Sequence, residues 1–326
     1  MIFFINFLKA LAACLITNAH YEGVYPVDII ANGGLIGDIL FFCCSGYCLY
    51  NVKLNFFKWY PKRLYRIYVP VILITVIYLL IGLYNFEDRN MFEWLIYPTN
   101  YHFIASLVIL YIPYYFCLKI DWLRNHLIHI MCAVFVLWIL IYFIAYDKSY
   151  YHIDDVHEHM IKFLFFESML LGAVFRKYDK KIRNNFKKIY PIVTAIVFIL
   201  YFSSKLFFSR YSSFSNLQFI NQIIIFVLLI FIMLTFDGLD SKLEKLPLWI
   251  KNIIQFISNI TLEIYIVQYA IISFINSFNT KFPVNWILLT AAILISAALL
   301  HYLSKGIYSL NDLIIKKIKN TSENSV

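Results

Sequence analysis

The chain is a succession of apolar runs, each about as long as an α-helix needs to be to cross a bilayer core, roughly 20 residues. The runs fall at 2–20, 34–51, 66–84, 102–119, 127–146, 161–176, 189–207, 217–236, 253–275 and 286–308. A soluble domain of 326 residues does not tolerate 62% hydrophobic residues, 14% charged residues and a mean hydropathy of +0.72. The runs also lack the short apolar–polar alternation of a membrane β-barrel. The expected fold class is therefore all-α, a polytopic membrane helix bundle of about ten transmembrane helices. The run at 161–176 is the weakest of these, being short and carrying Glu167.

The formal charge of +9 is distributed as a topology signal rather than as a nucleic-acid footprint. Lys53, Lys58, Lys62, Arg63 and Arg66 crowd one connection, and Arg176, Lys177, Lys180, Lys181, Arg183, Lys187 and Lys188 crowd another. Cations recur at 242–251 and 316–319, whereas the intervening loops hold at most one each. The positive-inside rule then places both termini and the basic loops in the cytoplasm, with the chain in a cell inner or plasma membrane. No nucleic-acid partner is expected. The N-terminal run has no basic stretch ahead of it and is read as a retained first span. Residues 1–310 are expected to form a single transmembrane domain, followed by a short polar and basic cytoplasmic tail at 311–326. The six cysteines lie in or beside apolar runs and suit reduced, buried thiols, with no CxxC spacing.

Ionisable residues in apolar spans are costly and stand as functional candidates. Lys9 and His20 bracket most of the first run; at 100° per residue their eleven-position spacing puts them about 20° apart around a helix and roughly 16 Å along it. Taken singly, Lys9 reads as a snorkelling cation and His20 as an interfacial histidine. Asn18 lies two residues before His20. The second run contains Asp38 and Ser45 in "GGLIGDILFFCCSGYCLY", and the basic segment "KWYPKRLYRIYVP" follows. Asp38 suits an aligning carboxylate or a structural hydrogen bond near Gly34 and Gly37 equally well, and the Ser45–Gly46 pair favours close helix packing.

Three of these segments together resemble acyltransferase family 3, integral-membrane enzymes that acylate sugars and surface polysaccharides. The family's Arg-x10-His pattern is matched by Lys9-x10-His20, its "FF-x-x-SG" signature by "FFCCSGY" at 41–47, and its Arg-x-x-Arg beside "RI-x-P" by Arg63 and Arg66 with "RIYVP". A later family segment is similar to "TLEIYIVQ" at 261–268. The family arginine is Lys9 here, which keeps the cation and loses the bidentate fork. The resemblance implies an O-acyltransferase that takes an acetyl group from cytoplasmic acetyl-CoA, with no metal, to a surface polysaccharide or a lipid-linked glycan precursor. His20 would be the general base, with Asp38 or Asn18 aligning it, and Lys9, Arg63 and Arg66 would hold the donor.

The remaining polar residues rank lower. Glu167 and Glu263 suit pairing with a buried cation, and His102 is a weak candidate for acceptor contact. His152, His157 and His159 share the loop 147–160 with Asp154, Asp155 and Glu158, at spacings that match no defined metal geometry. Tyr25, Trp94, Tyr97, Tyr101 and Trp286 lie where an interfacial aromatic belt is expected. Two other functions stay open: a transporter or flippase of glycolipid or polysaccharide units, and a non-catalytic assembly partner.

Overall fold

The structure, a computed structural model, describes residues 2–85, 91–95, 101–276 and 280–323. Among these, the chain is helical with no strand: α1 (Phe3–Ala19), α2 (Gly34–Leu49), α3 (Phe56–Leu80), α4 (Met91–Leu95), α5 (His102–Lys119), α6 (Asp121–Asn125), α7 (Leu127–Ala145), α8 (Ile161–Lys177), α9 (Asp179–Asn184), α10 (Tyr190–Arg210), α11 (Phe219–Gly238), α12 (Asp240–Leu243), α13 (Leu248–Asn259), α14 (Thr261–Asn276) and α15 (Val284–Glu323). Nine of the ten apolar ranges are each occupied by one helix, and 253–275 is divided between α13 and α14. Seven helices are long and apolar enough to cross a membrane, or eight if α13 and α14 form one bent span. The apolar α1 has only 17 residues, and the equally short α8 carries Glu167 among several charges. The expected boundary at 310 is not a helix end, because α15 continues to Glu323. "SLNDLIIKKIKN" contains no proline or glycine to stop it.

The contacts divide the chain into two compact units whose segments alternate in sequence. Unit 1 comprises Met1–Ala19, Asn32–Pro61 and Tyr101–Asn259; unit 2 comprises His20–Ala31, Lys62–Asn100 and Ile260–Val326. Neither unit is contiguous, so the single domain expected over 1–310 has an internal organisation that composition does not mark.

In unit 1, α2 lies against both α1 and α8, and glycines set the approach. A Cβ at Gly46 would overlap the Met169 carbonyl, one at Gly172 would overlap the Cys43 carbonyl, and one at Gly37 would press on Ile16 and the Ala12 carbonyl. Helices within lipid associate through such close packing, since hydrocarbon supplies no hydrophobic drive between them. Phe42 stacks on Phe165 at 4.4 Å, and Tyr114 donates to the Gly46 carbonyl at 2.6 Å. The Ser45 and Tyr111 hydroxyls are 3.4 Å apart. The "SG" pair therefore sits at a helix contact, and all six cysteines are free thiols, of which Cys14, Cys48 and Cys132 are exposed rather than buried as expected.

An ion network closes the end of unit 1 where α1 begins. Arg183 reaches Asp179 at 2.9 Å, Asp237 at 3.0 Å and Asp240 at 3.3 Å. Asp240 Oδ1 also accepts the Phe4 amide at 2.8 Å, satisfying a donor that the first turn of α1 leaves open. At the other end the 147–160 loop is tied down. Gln218 Oε1 accepts the His152 and Ile153 amides, each at 3.0 Å, and Gln218 Nε2 donates to the Tyr150 carbonyl. Ile153 is fully buried under the loop in a cluster with Trp138, Tyr142, Tyr146 and Met160.

In unit 2, α14 packs along α15, and Tyr78 of α3 donates to the Val267 carbonyl of α14 at 2.9 Å. Trp94 is buried and stacks on Tyr84. In unit 1, Tyr101 is fully buried. These two aromatics are core residues, against the expected interfacial belt, and Tyr97 lies outside the described residues.

Candidate functional site

His20 falls in the turn just after α1, so the helical register expected to relate it to Lys9 stops one residue short of it. Its ring is half-buried and meets the Tyr269 ring of α14 edge-on at 4.6 Å. The segment that follows is pinned to the start of α15. The Tyr21 and Thr290 hydroxyls lie 3.0 Å apart, and Asn285 Nδ2 donates to the Val24 carbonyl at 2.9 Å. These ties hold the histidine at one end of unit 2.

Arg63 and Arg66 lie on α3 within the same unit, three residues apart and hence on neighbouring turns of one face. Arg63 is half-buried and Arg66 exposed. The Tyr308 hydroxyl of α15 donates to the Arg66 carbonyl at 3.1 Å, which fixes the level of the pair along α15. Thr290 and Tyr308 are eighteen residues apart on one continuous helix, roughly 27 Å at the α-helical rise. The histidine and the arginine pair therefore stand at opposite ends of unit 2, separated by about the thickness of a bilayer core.

Polar groups also lie between these ends. Glu263 of α14 pairs with His301 of α15, Oε1 to Nδ1, at 2.8 Å. His301, Ser304 and Tyr308 form one stripe of α15, at spacings of three and four. The Ser304 hydroxyl is buried without a hydrogen-bond partner, and so is that of Thr75, one turn from Tyr78 on α3. Gln268, beside Tyr269 on α14, is fully buried with both amide atoms unpartnered. Buried polar groups of this kind are uncommon and ask for an explanation. An uncommitted amide can donate to an oxyanion as well as accept from a hydroxyl.

Lys9, Asn18 and Asp38 belong to unit 1. Lys9 is half-buried and forms no ion pair among the described residues. Asn18 donates to the Asn32 carbonyl at 3.0 Å, tying the end of α1 to the turn before α2. Asp38 is buried on the second turn of α2. In the 147–160 loop, His157 pairs with Asp155 at 2.8 Å and Lys205 with Asp154 at 3.2 Å. No three His, Cys, Asp or Glu side chains converge as a metal site among the described residues.

The site residues that sequence reasoning missed are Gln268 and His301. Gln268 closes the quoted "TLEIYIVQ" segment, so its signal was available. His301 sits in the last apolar run and becomes conspicuous only when Glu263 is seen against it.

Fold and polar constellation together define a multi-pass, all-α membrane protein with ionisable groups set through its helices. The family model of acyltransferase family 3, described as an acyltransferase domain, matches residues 2–303, and the chain belongs to this family. It is a membrane acyltransferase. No curated protein and no solved structure gives a significant match to the chain.

Proposed function

We propose that this acyltransferase is an O-acetyltransferase of a bacterial cell membrane that carries an acetyl group from cytoplasmic acetyl-CoA to a hydroxyl of a surface polysaccharide or its lipid-linked precursor. The observation that carries this reading is the placement of His20 and the Arg63–Arg66 pair at opposite ends of one unit, about 27 Å apart along α15. With both termini and the basic loops cytoplasmic, the arginines meet the donor and His20 meets the acceptor.

In the reaction, His20 takes the proton of the sugar hydroxyl as its oxygen attacks the thioester carbonyl carbon. A C–O bond forms and the C–S bond breaks. Coenzyme A leaves as a thiolate and takes up a proton. Arg63 and Arg66 hold donor phosphates as charge-assisted partners. Gln268 Nε2 is a candidate oxyanion donor. No step calls for a metal.

The test is the O-acetyl content of surface polysaccharide, read by proton NMR. Cells lacking the protein are complemented with wild type or with an equally expressed His20→Ala variant. Return of the acetyl signal with wild type alone supports transfer through His20. Return with both removes His20 as the base, and loss of polysaccharide itself from the surface favours a flippase.

A further inference from the structure

Where α2 and α8 end, unit 1 holds an open cavity of about 450 Å³ lined by Tyr50, Asn51 and residues 176–181. Half of its lining residues are cations, Arg176, Lys177, Lys180 and Lys181, against the single carboxylate of Asp179. That carboxylate is already employed. Its Oδ1 accepts from Arg183 at 2.9 Å and from the Tyr47 hydroxyl at 3.3 Å. Among the described residues, none of the four cations forms an ion pair.

Neutral groups hold them instead. Arg176 Nη1 donates to the Tyr47 hydroxyl at 3.2 Å, and its guanidinium carbon lies 5.2 Å from the centre of that ring. Lys177 Nζ donates to the Arg124 and Asn125 carbonyls at 3.0 and 3.1 Å, where α6 ends. Cations near the end of a helix are ordinary, and Lys177 is spent in that way. Arg176 is different: a tyrosine fixes its fork while leaving the charge uncancelled, and it is half-buried rather than occluded. Lys180 and Lys181 are exposed beside it. An oriented guanidinium with two free ammonium groups suits a phosphate, whose oxygens take the fork in pairs.

The surroundings favour one source of that phosphate. The helix α6, whose terminal carbonyls hold Lys177, exposes 66% of Trp122, and Ile120 just before it is 48% exposed. Exposed tryptophan and isoleucine beside a basic cluster mark the level of the membrane–water boundary, where phospholipid headgroups lie. We propose that this cavity is a phosphate site, with Arg176 taking the phosphate oxygens and Lys180 and Lys181 supplying further positive charge. An anionic phospholipid is the source its position favours, and a free phosphate ester is the other.

The test titrates the delipidated full chain in detergent with dioleoylphosphatidylglycerol, and separately with dioleoylphosphatidylcholine, whose choline cancels the phosphate charge. Native mass spectrometry should show one saturable equivalent of phosphatidylglycerol, bound about tenfold more tightly than phosphatidylcholine. Arg176→Gln should weaken it about tenfold, and the pair Lys180→Gln and Lys181→Gln several-fold. The pair Lys187→Gln and Lys188→Gln removes two exposed cations of the same connection outside the cavity, and should leave binding unchanged. Thermal melting checks the fold; if Arg176→Gln does not fold, the Lys180 and Lys181 pair decides. Displacement of the lipid by inorganic pyrophosphate supports the site. Pyrophosphate bound more tightly than the lipid assigns it to a free phosphate ester, and bound more weakly, to the lipid. Equal binding of both lipids overturns the proposal, as does lipid uptake without saturation. An equal loss in the Lys187 and Lys188 pair also overturns it, reducing the cluster to surface charge.

Discussion

At the scale of single residues, the structure separates groups that local bonds already employ from groups that lack a partner. Asn18 spends its donor on the Asn32 carbonyl, so its removal should show first as a loosened turn before α2. Lys9 is half-buried with no carboxylate paired to it among the described residues. If it serves the donor or the oxyanion, Lys9→Ala should lower transfer by about tenfold or more while membrane levels fall far less, and Lys9→Arg should restore much of it. Equal losses of activity and protein on an immunoblot would make it structural. His20→Ala should cost about 10²–10⁴ in the initial rate of acetyl transfer, the usual worth of a positioned base, without changing protein level. Gln268→Leu is the matching test for the buried amide. A fall in rate with little change in donor KM marks an oxyanion role, whereas a gain in melting temperature with unchanged rate marks an unsatisfied core residue.

At the scale of helices, two glycines make opposite predictions. Gly46 is held against the Met169 carbonyl across the α2–α8 contact, where a methyl group finds no space. Gly46→Ala should destabilise unit 1 by about 1–3 kcal/mol or more, since backbone must move to admit it. Gly306 lies within α15 with open space around its Cβ direction. Gly306→Ala should be neutral or stabilise by up to about 1 kcal/mol through helix propensity. Fluorescence-detected thermal melting in detergent measures both, and similar shifts would contradict the packing described for α2 and α8. The α14–α15 pairing makes a further claim through Glu263, which is buried, and His301, which is half-buried. Glu263→Gln keeps the shape and a hydrogen bond but removes the charge, so a large loss of stability would mean that His301 is held as a cation.

At the scale of the whole molecule, the network around Arg183 links α9, α11 and α12, and through Asp240 the start of α1. Asp237 and Asp240 are buried, so removing the guanidinium leaves carboxylates with no cation in a poor dielectric. Arg183→Ala should therefore lower the melting temperature more than Lys181→Ala, an exposed cation of the same helix, by a difference worth roughly 2 kcal/mol. Arg183→Lys should rescue only partly, since one ammonium does not reproduce the fork across three carboxylates.

The membrane class, the all-helical fold and the family were legible in the chain, whereas the count of about ten spans was not: seven or eight helices are long and apolar enough to cross. Bilayer thickness turns run length directly into helices, and the family's motifs are short and local in sequence. The Ser45–Gly46 packing contact was legible for the same reason, being a matter of residue size on one helix. The division into two interleaved units was not, because it depends on which helices touch across gaps of more than a hundred residues. Nor was the end of α15, where a charged but helix-favouring tail reads as loose chain. The burial of Trp94 and Tyr101 escaped because an aromatic near a span boundary looks the same whether it faces lipid or core. His301 shows the same limit at the candidate site: a histidine in an apolar run becomes significant only through what tertiary structure sets against it, whereas Gln268 was marked by the "TLEIYIVQ" segment it closes. Local periodicity and composition determine the elements; partnership between distant side chains is decided by packing alone.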